Sequence, residues 1–237
     1  MLIRALLFDY GGTLDGGGHW LARFAALYRT AGIDLAPHTL AAAFQHAEAC
    51  TYGDPDVRRA SLADVIERHV HLQLTALDLR HPRLQRHLAG RFLADSYLAL
   101  GRHRRVLEHL ASTFVLGVVS NFYGNVDRVL AETGIASLLS TVVDSAVVGF
   151  AKPDPRIFAC ALRALRCRAG ETLHVGDSYA RDIIGARAAG LRTAWLNANG
   201  EAPPADAGVV DISLRSLHEL PVRLAALNSR PATLGAP

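Results

Sequence analysis

The chain has 237 residues, which at roughly 100–200 residues per domain points to one large domain or a core with an insertion. Half of the residues are hydrophobic and 20% are charged, with 20 Gly and 10 Pro, a balance that excludes wholesale disorder, collagen-like repeats and low-complexity sequence. The formal charge is +3 and the pI is near 9.0, yet the basic residues are scattered; the densest group, Arg102-His103-Arg104-Arg105, reads as a solvated helix start, and no nucleic acid is expected as a partner.

No apolar run approaches the roughly 18 residues of a membrane span, and MLIRALLFDY reaches Asp9 before a secretory stretch develops, so neither a membrane nor a leader is expected. Cys50, Cys160 and Cys167 are too few and odd in number for a disulfide framework. They are expected to be small core hydrophobes of a cytoplasmic protein. Of the 25 basic side chains, 24 are Arg and one, Lys152, is Lys. An ammonium is a compact point charge where a guanidinium is a wide fork, so a lone Lys marks a tight anionic pocket.

Taken in chain order, residues 2–8 (LIRALLF) form an apolar run ending in Asp9 and the glycine-rich stretch 11–18, the pattern of a buried strand and its turn. From His19 to Leu100 apolar residues recur at helical spacing, as in Trp20, Phe24 and Leu27, with breaks at Gly32, Pro37, Gly53-Asp54-Pro55 and Pro82. This predicts about four helices and no strand. Beyond Arg102 strands are predicted over 114–119, 140–145, 172–175, 191–196 and 208–212, and helices over 123–133, 154–167, 179–189 and 213–226. Such alternation indicates parallel βα units. The expected organisation is therefore an α/β core, residues 1–15 and 101–228, with an α-helical insertion over 16–100 and a tail over 229–237. Whether the chain is a monomer or a homodimer is left open.

In an open parallel sheet, ligands bind beyond the carboxyl ends of the strands. Asp9, Ser120-Asn121 and Gly176-Asp177 follow strands, and Lys152 lies in a loop entering a helix. Two carboxylates and one ammonium converging there suit a divalent cation such as Mg²⁺ and a phosphoryl group. The glycines after Asp9 offer backbone N–H groups to an anion, and a carboxylate is a competent nucleophile for phosphoryl transfer.

Phe8-Asp9-Tyr10-Gly11-Gly12-Thr13-Leu14-Asp15 resembles the first motif of the haloacid dehalogenase superfamily of hydrolases. Val118-Val119-Ser120-Asn121, Ala151-Lys152-Pro153-Asp154 and Gly176-Asp177-Ser178-Tyr179-Ala180-Arg181-Asp182 resemble its second, third and fourth motifs, in order. The resemblance implies a Rossmann-like three-layer core with an inserted helical cap. It implies Asp9 as nucleophile and Lys152 as the catalytic charge beside it. Ser120, Asn121, Gly12 and Lys152 would bind phosphate, and Asp9, Asp177 and the carbonyl of Gly11 would hold Mg²⁺. Asp182 would support Lys152 or a metal-bound water, and Asp15 would be structural. The expected substrate is a small phosphorylated molecule.

The pattern breaks at Gly11. Phosphatases of this family carry there a second Asp, which protonates the leaving group and then activates water, help typically worth about 10²–10⁴-fold. The chain is thus expected to be a slow phosphatase, one limited to good leaving groups, or one whose cap supplies the proton, His19 being nearest in sequence. Dehalogenation needs no such proton, but that branch tends to have Tyr at this position and to lack the Gly-Asp motif; neither holds here. A Schiff-base carbon–phosphorus hydrolase needs a cap Lys, and residues 19–100 contain none. A phosphometabolite-binding protein without turnover is the remaining alternative. Among the eleven His no zinc spacing occurs; His69 and His71 are expected on the surface, His174 in the core, and Tyr10 in the lining of the site.

Overall fold

The computed structural model describes residues 2–204 and 207–228; the expected tail, 229–237, lies outside them. Six strands form one wholly parallel sheet in the order β3-β2-β1-β4-β5-β6: β1 (Ala5–Phe8), β2 (Val115–Ser120), β3 (Thr141–Asp144), β4 (Thr172–Gly176), β5 (Arg192–Leu196) and β6 (Ile212–Leu214). Strand β1 pairs with β2 on one side and β4 on the other, Phe8 lying opposite both Val118 and Val175. The chain first builds outward through β2 and β3, then returns to β1 and builds the other way. The reversal opens a crevice between the carboxyl ends of β1 and β4.

All four side chains of β1 are fully buried, as expected of a strand covered on both faces. Leu6 and Phe8 pack on one face with Val106, Leu107 and Leu110 of helix α4 (Pro82–Ala111), while Ala5 and Leu7 pack on the other with Ile157, Phe158 and Ala161 of α7 (Pro155–Leu165). Helices α5 (Val126–Glu132) and α9 (Leu220–Asn228) join the first face, and α8 (Gly185–Ala188) joins the second, behind the short α6 (Ser145–Val148). The result is the expected α/β three-layer core.

The insertion holds α1 (Trp20–Thr30), α2 (Pro37–Tyr52), α3 (Leu62–Ala76) and the first part of α4. Each start has a local cause. Pro37 and Pro82 open their helices at positions that need no N–H, and Ser61 and Asp64 form a reciprocal capping box. Trp20, Phe24 and Leu27 are core residues, with Phe24 stacked on Phe92 at 4.5 Å. The insertion shares a continuous apolar cluster with one face of the sheet. Helix α4 passes unbroken through residue 100, where the expected boundary falls, so one helix belongs to both parts.

Several expectations are corrected. The Arg102–Arg105 group is solvated but lies well inside α4, not at its start. The last strand is Ile212–Leu214 rather than 208–212, and α9 begins at Leu220; Val209 belongs to a short 3-10 turn, a choice that an apolar triplet does not fix locally. The cysteines are free and half-buried, at the margins of the packing. His69 is fully buried, because it falls on the inward stripe Leu62, Val65, Ile66, Val70 of α3 and stacks on Phe24 at 5.6 Å. The segment expected as one helix over 179–189 opens with a π-helical stretch, Tyr179–Ile184, before α8.

Candidate active site

Asp9, Gly11, Ser120, Asn121, Lys152 and Asp182 line one cleft, and Asp177 lies with Asp9 and Asp182. Asp9 follows β1 and is nearly buried. Its Oδ1 accepts a hydrogen bond from the Ser120 hydroxyl at the end of β2, 3.0 Å away, and lies 2.7 Å from Lys152 Nζ. With both contacts on Oδ1, Oδ2 is the oxygen left for chemistry. Lys152 Nζ also donates to Asp182 Oδ1 at 2.6 Å. Burial pulls the ammonium's pKa down, but the charges of Asp182 and Asp9 outweigh it and hold Lys152 above its ordinary value.

Asp182 is saturated. Besides Lys152 it meets His174 Nε2 at 3.0 Å and accepts from the Ser178 backbone N–H at 3.0 Å. Burial alone would raise its pKa, yet Lys152 and the His174 bond drive it well below the carboxylate range. The π-helical turn produces this geometry: Asp182 and Ile183 both direct their N–H groups to the Ser178 carbonyl, widening the turn so that the carboxylate reaches back beneath the sheet. A Cβ at Gly176 would collide with it. His174 is buried as expected, although its Nδ1 has no partner.

Asn121 departs from its expected role. Its side chain grips the Lys152 peptide from both sides, the carbonyl accepting from Lys152 N at 2.7 Å and the amide donating to Lys152 O at 3.0 Å. The side chain therefore positions the lysine loop, while the residue still lines the cleft above Asp9. Gly12 has φ +84°, and a Cβ there would collide with the Asp177 carboxylate, so only glycine lets these two loops close on each other. Gly11 is different: a Cβ would meet nothing nearer than Trp20 Nε1 at 3.6 Å. Asp15 is fully buried, as its structural role requires. It accepts from Gly12 N at 2.7 Å, from Trp20 Nε1 at 2.6 Å and from Arg23 at 2.9 Å, and so ties the nucleophile loop to α1.

Carboxylate oxygens of Asp9, Asp177 and Asp182 lie within 4.8 Å of one another. Asp182 is neutralised by Lys152, which leaves Asp9 and Asp177 facing each other across the crevice. Burial, then the charges of Asp9 and Asp182, push the Asp177 carboxyl up to about 8. An excess of anionic oxygen at this range fits a hard divalent cation such as Mg²⁺, which takes few protein carboxylates.

The cleft above Asp9 is also lined by His19, Trp20 and Glu48 from the insertion and by Phe122, Tyr123 and Arg181 from the core; of these only His19 is expected from the sequence to take part in the reaction. Tyr10, expected in the lining, is instead fully buried against Phe122 at 5.1 Å. His19 caps α1, its Nδ1 accepting the Leu21 N–H at 3.2 Å. Burial and the Arg181 charge lower its pKa. With Nδ1 accepting that bond, the ring proton sits on Nε2, which is then a hydrogen-bond donor. Protonating Nδ1 would set two N–H groups against each other. The one sequence signal for Glu48 is a carboxylate on the buried stripe Leu40, Phe44, Ala47, Thr51 of α2.

Comparison with known proteins agrees with this geometry. Over 109 residues the chain is 39% identical to haloacid dehalogenase-like hydrolase domain-containing protein 3 of Danio rerio, covering 46% of this chain and 45% of that one. Over 128 residues it is 33% identical to a phosphoserine phosphatase of Thermus thermophilus, covering 54% and 48%. The matches thus span less than half the length of these relatives. The putative HAD-hydrolase YfnB of Bacillus subtilis shares the fold, with a TM-score of 0.60 at 22% identity over 97% of this chain and 100% of that one. A haloacid dehalogenase-like hydrolase family model matches residues 3–190, and with Asp9, Ser120, Lys152, Asp177 and Asp182 gathered at one crevice, the chain belongs to the haloacid dehalogenase-like hydrolases.

Proposed function

We propose that the protein is a phosphatase acting on a small phosphorylated molecule through a phosphoryl group carried on Asp9. The observation that carries this reading is the Asp9 carboxylate, held on one oxygen by Ser120 and Lys152 at 3.0 and 2.7 Å with the other left free to attack. Held this way, the nucleophile needs no reorientation before the reaction. The Ser120 hydroxyl, the Lys152 ammonium and the Gly11 N–H surround the space above Asp9 as donors for an anion, whereas the Gly12 N–H, expected to bind phosphate, is taken by Asp15. The Asn121 side chain acts one step back, on the Lys152 peptide. Attack by Oδ2 at phosphorus breaks the bond to the leaving oxygen, and water then releases phosphate and restores Asp9.

Asp9, Asp177 and the carbonyl of Gly11 are the groups that would hold Mg²⁺. Bound there, the ion supplies positive charge against the phosphoryl oxygens. The phosphoserine phosphatase of Thermus thermophilus and the pyrimidine 5'-nucleotidase YjjG of Escherichia coli support the phosphatase class without fixing a substrate. No helix among the described residues is long and apolar enough to cross a membrane, and three free cysteines accord with the cytoplasmic setting proposed for it.

The test is phosphate release from a panel of alkyl, aryl and acyl phosphates, with Mg²⁺ and with EDTA. Release that needs both the metal and Asp9 is expected. Absence of release from every compound would overturn the reading in favour of halide displacement or of binding without turnover.

A further inference from the structure

Gly11 leaves the reaction without the side chain that would carry a proton to the departing oxygen, and the cleft has few groups able to do so. Asp182 is locked among Lys152, His174 and the Ser178 N–H. Lys152 is bound to two carboxylates, and Asp177, which faces Asp9, is taken up as one of the groups that would hold Mg²⁺. Tyr123 is driven well above its usual range by burial. His19 has no usable basic nitrogen, because Nδ1 is occupied by the Leu21 N–H and Nε2 carries the proton, and a neutral imidazole does not give that proton up.

One group remains. Glu48 enters the cleft from the cap, on the inward stripe of α2 between Phe44 and Thr51. The residue is half-buried there, flanked on the helix by the buried Phe44, Ala47 and Thr51. We propose that Glu48, delivered by the cap, is the acid–base residue that replaces the missing carboxylate at Gly11. Burial raises its pKa, and Arg181, across the cleft, partly opposes the rise; a raised carboxyl pKa suits proton donation near neutral pH. The charged and titratable groups that share the cleft with it are His19 at the start of α1, Tyr123 after β2, and Asp9, Lys152, Arg181 and Asp182 on the core side.

The proton balance closes. As Asp9 Oδ2 bonds to phosphorus and the ester P–O bond breaks, the Glu48 carboxyl gives its proton to the leaving oxygen. When water bonds to phosphorus and the Asp9–phosphorus link breaks, the Glu48 carboxylate takes the water's proton, which restores both residues. Since the acid comes from the cap and the nucleophile from the core, the site is complete only when the cap is closed over it.

This inference rests on the phosphatase reading, and the two can fail separately. In Glu48→Gln, kcat/KM is expected to fall about 10²-fold or more for alkyl phosphates, whose leaving groups need a proton, and only a few-fold for acetyl phosphate and 4-nitrophenyl phosphate. Glu48→Asp should recover part of the alkyl activity. Adding Gly11→Asp to Glu48→Gln should recover it too, since a Cβ at residue 11 meets nothing nearer than Trp20 Nε1 at 3.6 Å. An equal loss on all three classes, or no loss on any, overturns the assignment of Glu48 while leaving the phosphatase reading intact. A wild-type protein that releases no phosphate overturns the phosphatase reading itself.

Discussion

On the core side of the cleft, Asp9, Ser120 and Asp177 each sit at or just beyond the end of a strand, and Lys152 and Asp182 are fixed by short, charge-assisted bonds. On the cap side, His19, Trp20 and Glu48 ride on helices whose packing is almost wholly apolar, around Phe24, Phe44 and Phe92. The core side is held by a hydrogen-bonded sheet and by mutual charge compensation, so its geometry is set before any ligand arrives. The cap side is held by stacked aromatic rings and by the Asp15 bridge from Gly12 to Trp20 and Arg23. Chemistry common to a family belongs on the first kind of surface. Discrimination among substrates belongs on the second, where residues change without disturbing the nucleophile.

The sharpest way to break this comparison is to remove the Asp9 carboxylate, the proposed nucleophile. Asp9→Asn should lower phosphate release on the order of 10⁴-fold or more, with the far-ultraviolet circular dichroism unchanged. Substantial residual turnover would mean that the core side is not the reacting surface.

A smaller effect, on stability, compares the two sides directly. Lys152→Met leaves Asp9 and Asp182 as buried carboxylates without their cation and should cost about 3–5 kcal/mol in urea unfolding. Phe92→Ala opens a cavity in the cap and should cost a similar 3–5 kcal/mol. The first loss should shrink at low pH, as the carboxylates protonate, and the second should not. Parallel pH dependence in both variants would show that charge does not distinguish the two sides.

Neighbouring glycines give a finer contrast. Gly12→Ala, at φ +84° and against Asp177, should cost about 1–3 kcal/mol. Gly11→Ala, with open space around its Cβ, should stay within about 0.5 kcal/mol of wild type. Equal costs in thermal unfolding would count against the close approach of the two loops.

The mildest effect lies in the cap interior. Burial lowers the pKa of His69 from 6.5 to about 3, so the unfolded chain takes up a proton that the folded chain refuses. His69 therefore has no such penalty above pH 6.5, and the fold loses stability as the pH falls from there toward 3. Between pH 7.5 and 5.5 the loss should be about 1 kcal/mol, and it should vanish in His69→Leu when urea midpoints are compared at the two values.

The core is readable because most of its strands are short apolar runs and three of them, β1, β2 and β4, end at candidate site residues. Asp9, Ser120 and Asp177 are found by inspecting the residues at the carboxyl end of each strand, and Lys152 by its being the lone lysine among 25 basic residues. The cap is readable as helices, since periodicity reports helix, but not as a wall. His69 escapes such a reading because two residues of spacing from His71 say that the faces differ without saying which one turns inward. Tyr10 adjoins the nucleophile in sequence and yet is buried away from the cleft, behind Phe122.

The sequence by itself determined the parallel α/β core, the insertion after the first strand and the charges at the strand ends, because strand alternation and residue chemistry are local properties. Only the tertiary structure decided that Asn121 grips the Lys152 peptide, that His19 is held as a neutral donor by the Leu21 N–H, and that Glu48 reaches the cleft. Those outcomes depend on how α1 and α2 pack over the sheet, and the packing of one helix on another is settled by the shapes of many distant side chains together.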